Sequence, residues 1–203
     1  MKNLKLLFVA LLAVISVSSC MKDNNDYEDI DYEKIKARRD STLKAQADEI
    51  EAYAKANATN SDSLKFNDTT GVWYEIIPTT NTVDSTFEYV ASGNNFLPVT
   101  ASVKYKEKSF DGKYTKDVST ATRASIVSGY APDAWLIAFY PSHINGDEYI
   151  GLLPKGLLKN VKIRLFTSSI WYYDNNDLKE NGTVKLPKDS PLDVTIEVVD
   201  ISR

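Results

Sequence analysis

Residues 100–108 read TASVKYKEK, and this alternation decides the fold class of the chain. Val103 and Tyr105 fall on one face of an extended strand, while the intervening lysines fall on the other, which is the two-residue period of a half-buried β-strand. The dipeptide Asp111-Gly112 follows closely, and this pair favours a tight hairpin turn. The stretch therefore predicts an antiparallel sheet with one buried and one solvated face.

Between residues 71 and 201 the sequence carries one helix signal and further strand signals. The predicted strands cover residues 71–78, 135–140, 161–166 and 192–201. The run at 135–140 is apolar throughout and predicts a central strand. Residues 147–153, which end before Pro154 and Gly156, predict a short helix. Together these elements indicate an α+β fold in which one antiparallel sheet packs against a short helix.

The amino terminus predicts export and a lipid anchor. Lysines precede an unbroken apolar run over residues 6–15, and small residues lead to Cys20, which is the pattern of a secretory signal peptide over residues 1–19. The run is too short to cross a bilayer, which takes about 20 apolar residues. Val-Ser-Ser-Cys resembles the bacterial lipobox, in which the cysteine is acylated and the chain is cut before it. Residues 20–26 then form a polar tether to the membrane.

Residues 27–57 predict a charged helix, because they contain no glycine or proline. A thin apolar stripe recurs at helical spacing through Leu43, Ala47, Ile50 and Ala54. Half of this stripe is alanine, which buries little area, so a spacer or a weakly docked helix is favoured over a dimerisation surface. Residues 58–70 collect Asn, Ser, Asp and Thr and predict a linker. The folded domain is then expected over residues 71–203.

Composition excludes several classes of protein. The net charge is −4 at pH 7 and no basic block interrupts the chain, so the attraction that drives nucleic-acid binding is missing. Cys20 is the only cysteine, and the fold therefore cannot use disulfides. Hydrophobic residues make up 43% of the chain, which is enough for one core of ordinary size and an appendage.

Three segments of the predicted domain resemble FKBP-type peptidyl-prolyl cis-trans isomerases. Residues 103–113, VKYKEKSFDGK, are similar to the family's early strand and its Asp-Gly turn. Residues 161–174, VKIRLFTSSIWYYD, are similar to a strand and the segment that ends in Ala-Tyr-Gly, and residues 184–201, VKLPKDSPLDVTIEVVDI, to the closing strand. The order and spacing hold over about residues 71–201. The resemblance implies an FKBP-like antiparallel sheet wrapped on a short helix, with the charged helix as an N-terminal extension.

The resemblance also implies a chemistry and a site. Rotation about an X-Pro bond faces a barrier of ~18–20 kcal/mol because it breaks amide resonance. Family members enclose the proline ring in an aromatic pocket and hydrogen-bond the twisted amide, without a metal or a cofactor, so that they bind the transition state selectively. By resemblance Tyr105 and Tyr173 are catalytic, although both are equally interpretable as core aromatics of a half-buried sheet. The substrate-binding positions implied are Tyr114, Asp117, Tyr149, Leu186 and Val194.

Several positions depart from the family's pattern. Thr115 and Lys116 stand where a Phe-Asp pair is expected, unless a small slip brings Tyr114 and Asp117 into those roles. Val194 stands where the last strand of the family has phenylalanine. These losses predict weak or absent isomerase activity.

Two functions follow from these observations. The first is the binding, with at most slow isomerisation, of X-Pro segments of exported proteins. The second is a catalytically silent module that binds a protein or serves a structural role in the cell envelope. Either would act at the outer membrane, on its periplasmic face or at the cell surface, through the lipid on Cys20.

The remaining candidate sites are weak. His143 is the only histidine and lies in a turn-like segment, which leaves little basis for a catalytic or metal-binding role. Asp-Asn-Asn-Asp occurs at residues 23–26 and 174–177, but both runs lack the spacing and the distal glutamate of a known calcium loop. We therefore expect solvated turns there, and neither a metal nor a cofactor.

Overall fold

The computed structural model describes residues 31–93, 95–174 and 176–203. The predicted signal peptide, the tether and the lipid site at Cys20 lie outside the described residues. Ile35–Arg203 form one compact unit. Among the described residues, no helix combines the length and the apolar character that crossing a bilayer requires.

The described chain contains two α-helices, two short 3-10 helices and twelve strands. The helices are α1 (Tyr32–Asn57) and α2 (Asp133–Phe139), and the 3-10 helices are Ser61–Ser63 and Ser169–Trp171. The strands are β1 (Lys65–Asn67), β2 (Val72–Ile77), β3 (Ala91–Ser92), β4 (Asn95–Phe96), β5 (Val99–Ser109), β6 (Thr115–Ile126), β7 (His143–Ile144), β8 (Asp147–Glu148), β9 (Lys162–Thr167), β10 (Leu178–Glu180), β11 (Thr183–Leu186) and β12 (Leu192–Ser202).

The main sheet has six antiparallel strands in the order β1-β2-β9-β12-β5-β6. β12 pairs with β9 on one side and β5 on the other, and its Val194, Ile196 and Val198 are buried on one face. β5 and β6 form the hairpin expected at Asp111-Gly112, where Gly112 has a φ of +72°, a left-handed conformation that glycine adopts without strain. The predicted α+β fold with an antiparallel sheet and an N-terminal helix is confirmed.

The prediction of a central strand at residues 135–140 is wrong, because this run lies in helix α2. Pro132 precedes the helix and Asp133 begins it, which is an ordinary helix start. Trp135 and Phe139 are among the buried side chains of α2. An apolar run that is buried on every side has the same composition in a strand and in a helix, so periodicity could not separate the two.

The prediction of a helix at residues 147–153 is also wrong. Asp147–Glu148 form strand β8, which pairs with β7 in a two-stranded hairpin. Asn145 and Gly146 at its turn both have positive φ, of 54° and 92°, as a tight Asn-Gly hairpin turn requires. The Asn-Gly turn was a stronger local signal than the helix end at Pro154. Residues 147–153 therefore form one arm of a hairpin and the loop that follows it.

Residues 58–70, expected to be a linker, contain a 3-10 helix and strand β1, which pairs with β2. The carboxylate of Glu75, only 1% exposed, accepts hydrogen bonds from the backbone N–H of Thr59 at 2.9 and 3.0 Å and of Asn60 at 3.2 Å. Arg164 lies 3.5 Å from the same carboxylate. The segment is thus anchored to the outer face of the sheet, opposite α2.

Helix α1 packs on that same outer face and is not a free spacer. Ile50 and Ala54 are buried against Phe166, and Tyr53 stacks on Phe110 with ring centroids 3.9 Å apart. Ala47, which the apolar stripe predicted to face the protein, is exposed. The helix therefore contributes to a second, smaller core.

Gln46 lies beside Ala47 and makes the polar part of the α1 contact. It is buried, and its amide nitrogen donates to the backbone oxygen of Asp189 at 2.7 Å. Its amide oxygen accepts from the Ser168 hydroxyl at 2.7 Å and from the Ser169 backbone N–H at 3.1 Å. A polar residue thus shares the buried face of α1, which an apolar stripe could not reveal.

We expect Ile50→Ala to lower the free energy of unfolding by about 2–5 kcal/mol, the usual cost of truncating a buried isoleucine. Ile35 lies on the same helix and is 58% exposed, so Ile35→Ala serves as the matched control and should change stability by less than about 0.5 kcal/mol. Urea titrations of both variants measure this difference. Equal, small losses in the two variants would show that α1 does not share a core with the sheet.

Candidate functional site

A buried carboxylate marks the inner face of the sheet, the face that α2 covers. Glu107 on β5 is 3% exposed. Its Oε1 accepts a hydrogen bond from the Tyr172 hydroxyl at 2.7 Å. Its Oε2 accepts from the hydroxyls of Tyr114 at 2.7 Å and Tyr173 at 3.1 Å. Three phenols therefore replace the water that an ionised carboxylate would otherwise bind.

Local structure brings these phenols together. Tyr114 follows the β5–β6 turn, in which Asp111 accepts hydrogen bonds from the Ser109 hydroxyl at 2.7 Å and the Lys113 backbone N–H at 3.0 Å. Tyr172 and Tyr173 follow the 3-10 helix Ser169–Trp171, which Ser168 caps. Turn and cap residues thus aim side chains from two separate segments at one carboxylate.

Trp135 of α2 extends the network. Its indole N–H donates to the Tyr172 oxygen at 3.1 Å, and its ring lies edge-on to Tyr105 with centroids 5.1 Å apart. Sequence reasoning missed both Trp135 and Glu107. The signal for Trp135 was the helix start at Pro132, whereas a glutamate between two lysines carries no local sign of burial.

Beside this network lies a cleft of about 400 Å³. Aromatic and apolar side chains of the inner face and α2 make up one part of its lining, and polar side chains of β6 make up the rest. Its lining includes Tyr105, Glu107, Lys116, Tyr130, Trp135 and Tyr173. The volume lies within the range of small-ligand sites, roughly 300–1,000 Å³.

Lys116 supplies positive charge to the cleft. Its Nζ lies 3.9 Å from Oε1 of Glu107 and 5.1 Å from the centroid of the Tyr105 ring. Burial acts to lower the pKa of Lys116, but the hydrogen bond with Tyr105 and the charge of Glu107 outweigh it, so the pKa is raised. The ammonium form is thereby stabilised.

The phenols of the network resist ionisation. Burial and the negative charge of Glu107 raise the pKa of Tyr172 well above its ordinary value. Burial is also the largest cause of the raised pKa of Tyr114, followed by the neighbouring Tyr173 phenol and by the hydrogen bond to Glu107. The pKa of Tyr173 is raised by burial and then by the charge of Glu107. All three phenols therefore stay protonated donors through neutral pH.

The structure brings some of the expected site residues together and separates others. Tyr105 and Tyr173 line the cleft, and Tyr114 and Tyr173 donate hydrogen bonds to Glu107. Leu186 and Val194 are fully buried core residues outside the cleft lining.

Asp117 and Tyr149 also lie away from the cleft. Asp117 pairs with Lys106 across the β5–β6 ladder and forms an ion pair with it at 3.4 Å on the outer face. Because strand side chains alternate, Lys116 points to the cleft where Asp117 was considered. Tyr149 packs against Phe96, with ring centroids 4.7 Å apart, and is not among the residues that line the cleft.

The side chains of His143, Asp174 and Asp177 contact protein groups outside the cleft. His143 Nδ1 lies 2.8 Å from the Ser142 hydroxyl in the exposed β7–β8 hairpin. Asp174 accepts a hydrogen bond from Arg38 at 2.8 Å, and Asp177 accepts one from the Lys188 backbone N–H at 2.8 Å. Within residues 31–93, 95–174 and 176–203, no group of three or more His, Cys, Asp or Glu side chains is placed to hold a metal ion.

A larger groove, of about 610 Å³, lies on the outer face. Its charges are paired across the strands, with Lys104 3.4 Å from Glu197 and Arg164 2.7 Å from Asp193. Tyr105 is the one aromatic residue in the lining of the groove, whereas Tyr130, Trp135 and Tyr173 join it in the cleft. The cleft beside Glu107 is therefore the better candidate site.

Comparison with known proteins gives structural neighbours only. No protein-family model matches the sequence, and no curated protein matches it at a significant level. FkpA from Escherichia coli aligns over 83% of this chain and 63% of its own length, with 17% identity and a TM-score of 0.48. A peptidyl-prolyl cis-trans isomerase from Pseudomonas syringae pv. tomato aligns over 81% and 96%, with 17% identity and a TM-score of 0.48. AtFKBP13 aligns over 68% and 98%, with 16% identity and a TM-score of 0.47.

The chain is similar in fold to FKBP-type peptidyl-prolyl isomerases. It spans less than two thirds of the Escherichia coli protein. Identities of 16–17% and TM-scores of 0.47–0.48 concern the fold alone and carry no conclusion about the activity of this domain.

We expect the protein to lose stability above about pH 10, the ordinary pKa of tyrosine. A pKa that is higher in the folded than in the unfolded state means that the folded protein holds its phenolic protons more tightly. The stability gained in this way is complete below the unfolded pKa and is lost as the pH rises through the folded pKa. The raised pKa of Lys116 acts in the same direction. Free energies of unfolding from urea titrations at increasing pH measure the decline.

Tyr114→Phe removes one of these phenols and should make the alkaline decline shallower. At neutral pH the same variant should lose about 1–3 kcal/mol because Glu107 then lacks a donor. Tyr130→Phe is the control, since Tyr130 is 84% exposed. An identical pH dependence in both variants and the wild type would contradict the assignment of these protons to the network.

Proposed function

We propose that the FKBP-like domain binds extended, proline-containing segments of exported proteins in the cleft beside Glu107, with weak or no peptidyl-prolyl isomerase activity. The observation that carries the proposal is the aromatic wall of the cleft backed by a hydrogen-bond network that is already complete. The wall favours an apolar, ring-shaped side chain. The donors of the network are already engaged, so they are not available to stabilise the twisted X-Pro amide of a bound segment.

The wall is suited to proline in size and chemistry. Tyr105 and Trp135 meet edge to face, which leaves an angular apolar surface inside a cleft of about 400 Å³. A proline ring carries no donor and is largely apolar, so burial against aromatic faces stabilises it through area removed from water. Tyr130, which is 84% exposed, adds an aromatic ring at the rim of the cleft.

Catalysis requires more than this binding. A twisted X-Pro amide is stabilised by hydrogen-bond donors that act mainly in the transition state. The Tyr173 hydroxyl donates to Glu107 at 3.1 Å, and the Trp135 indole N–H donates to Tyr172. With these two donors engaged, the gain in the transition state is small. We therefore expect binding with little acceleration.

The alternative is a catalytically silent module that binds an envelope protein or has a structural role. The completeness of the Glu107 network favours it, since every phenol in the network already has its partner. The two functions differ in one measurable property, the exchange rate of an X-Pro bond. Neither function requires a cofactor.

The proposed place of action is the bacterial envelope. The lipobox-like segment that ends at Cys20, followed by a polar tether, supports a lipid anchor in the outer membrane. Two or three acyl chains are enough for stable attachment, because each buried methylene contributes about 0.8 kcal/mol. The domain would then meet exported chains close to the membrane surface.

We expect a fluorescent Ala-Leu-Pro-Phe amide peptide to bind the wild-type protein, and Tyr105→Leu to weaken binding about tenfold because the aromatic wall loses its edge-to-face pair. Tyr149→Leu is the control, since Tyr149 packs against Phe96 outside the cleft. Polarisation titrations give both affinities. Loss of binding in the Tyr149 variant with retention in the Tyr105 variant would place the site elsewhere.

Full-length protein should partition into detergent with the membrane fraction, whereas Cys20→Ala should yield an uncleaved or soluble precursor. Cys20 is the only cysteine, so no other thiol can take the acyl chains. Phase separation of cell lysates measures the distribution, and Ser19→Ala, which keeps the thiol and the small-residue pattern, is the control. A Cys20→Ala protein that still follows the detergent phase would contradict lipidation at this residue.

A further inference from the structure

We propose that Glu107 sets the hydrogen-bonding polarity of the cleft and directs it toward ligand N–H groups instead of ligand carbonyls at Tyr173. This inference rests on the proposed function, because it concerns the same cleft. It assigns a specificity-determining role to a residue that neither the sequence pattern nor the fold indicates.

The direction of each hydroxyl in the network follows from the chemistry of Glu107. A carboxylate can only accept hydrogen bonds, so Tyr114, Tyr172 and Tyr173 must each donate their single hydroxyl hydrogen to it. The distances of 2.7, 2.7 and 3.1 Å leave no room for an intervening water. Tyr173 lines the cleft and therefore presents only its oxygen lone pairs to a ligand.

The indole of Trp135 is oriented by the same chain. Its N–H donates to the Tyr172 oxygen at 3.1 Å, and Tyr172 in turn donates to Glu107 at 2.7 Å. Both donors nearest the aromatic wall thus point toward the buried carboxylate, one directly and one through Tyr172. The wall has apolar faces and a phenolic acceptor, and it lacks a free donor at Tyr173 and Trp135.

Donors remain on another part of the cleft. The Lys116 ammonium lies 5.1 Å from the centroid of the Tyr105 ring, and together with the Arg123 guanidinium it supplies the charged donors of the lining. A bound segment is therefore oriented with a carbonyl toward Lys116 and an N–H toward Tyr173. The X-Pro amide itself has no N–H, so the amide that must twist cannot be held by Tyr173.

Replacing Glu107 by glutamine reverses one end of the network. An amide nitrogen is a donor, whereas the carboxylate oxygen that it replaces is an acceptor. With this nitrogen at the Oε2 position, the glutamine donates hydrogen bonds to Tyr114 and Tyr173 instead of accepting them. Tyr114 can then give its hydrogen to Tyr173, and Tyr173 regains a hydrogen that it can present to the cleft. Side-chain size is unchanged by Glu107→Gln.

The experiment compares cis-trans exchange rates of an Ala-Leu-Pro-Phe amide peptide by NMR exchange spectroscopy in four proteins. These are the wild type, Glu107→Gln, Tyr173→Phe and the double variant, each checked for folding by urea titration. We expect Glu107→Gln to raise the exchange rate about tenfold, the contribution of one added hydrogen bond. Tyr173→Phe alone should weaken binding of the peptide, because it removes the oxygen that accepts a ligand N–H, and the double variant should show none of the rise in exchange rate that Glu107→Gln brings.

The outcomes separate this inference from the proposed function. If the wild type binds the peptide and Glu107→Gln brings no rise, or a rise that persists without the Tyr173 hydroxyl, the polarity assignment is overturned. If neither wild type nor Glu107→Gln binds the peptide, the proposed function fails and the inference fails with it. Should Glu107→Gln not fold, the affinities of wild type and Tyr173→Phe are compared for the peptide and for its form N-methylated at Leu and Phe. An affinity loss on Tyr173→Phe that disappears with the methylated peptide supports the assignment, and a loss that persists, or no loss with either peptide, overturns it.

Discussion

Three phenols hold the carboxylate of Glu107 inside the protein, and the arrangement of the inner face depends on that contact. Removing an ion from water costs several kcal/mol, so each element around β5 must bring a donor to it. The β5–β6 hairpin brings Tyr114, and the segment after β9 brings Tyr172 and Tyr173. Helix α2 joins through the bond from Trp135 to Tyr172. One buried charge thereby links the positions of a hairpin, a loop and a helix.

The outer face is organised by a second buried carboxylate. Glu75 is 1% exposed and binds the backbone after α1 through Thr59. Arg164 connects this cluster to Asp193 on β12 with two hydrogen bonds of 2.8 and 2.7 Å, and to the last carbonyl of α1 at Asn57. The helix is therefore positioned by polar contacts at its end as well as by the small core around Phe166, which explains why a thin apolar stripe is sufficient.

These two clusters have different consequences for function. On the outer face the charges satisfy each other across the strands, and the groove there has little left to offer a ligand. On the inner face the network is complete but lies beside an open aromatic cleft, so it defines which donors and acceptors the cleft presents. The chemistry that the cleft presents therefore depends on individual side chains more than on the sheet that carries them.

The sequence by itself determined the elements whose information is local. The alternation of Val103 and Tyr105 predicted β5, and that of Val194, Ile196 and Val198 predicted β12. Asp111-Gly112 predicted the turn that follows β5, since strand period and turn chemistry act over a few residues. The composition of residues 27–57 likewise predicted the charged helix, but it did not indicate the residues of the sheet against which the helix packs. Tyr105, Tyr114 and Tyr173 were recognised through family resemblance.

Only the tertiary structure decided the rest. The run at 135–139 lies in a helix, although an apolar run of this length fits a buried strand equally well, and the choice between the two depends on packing that the run does not encode. Glu107 is buried because Tyr172 and Tyr173, which lie 65 and 66 residues further along the chain, reach it in the fold. Lys116 faces the cleft in place of Asp117 because the register of β5 and β6 sets which alternate side chains point inward. Contacts between distant segments depend on how whole elements pack, and no window of the sequence contains that information.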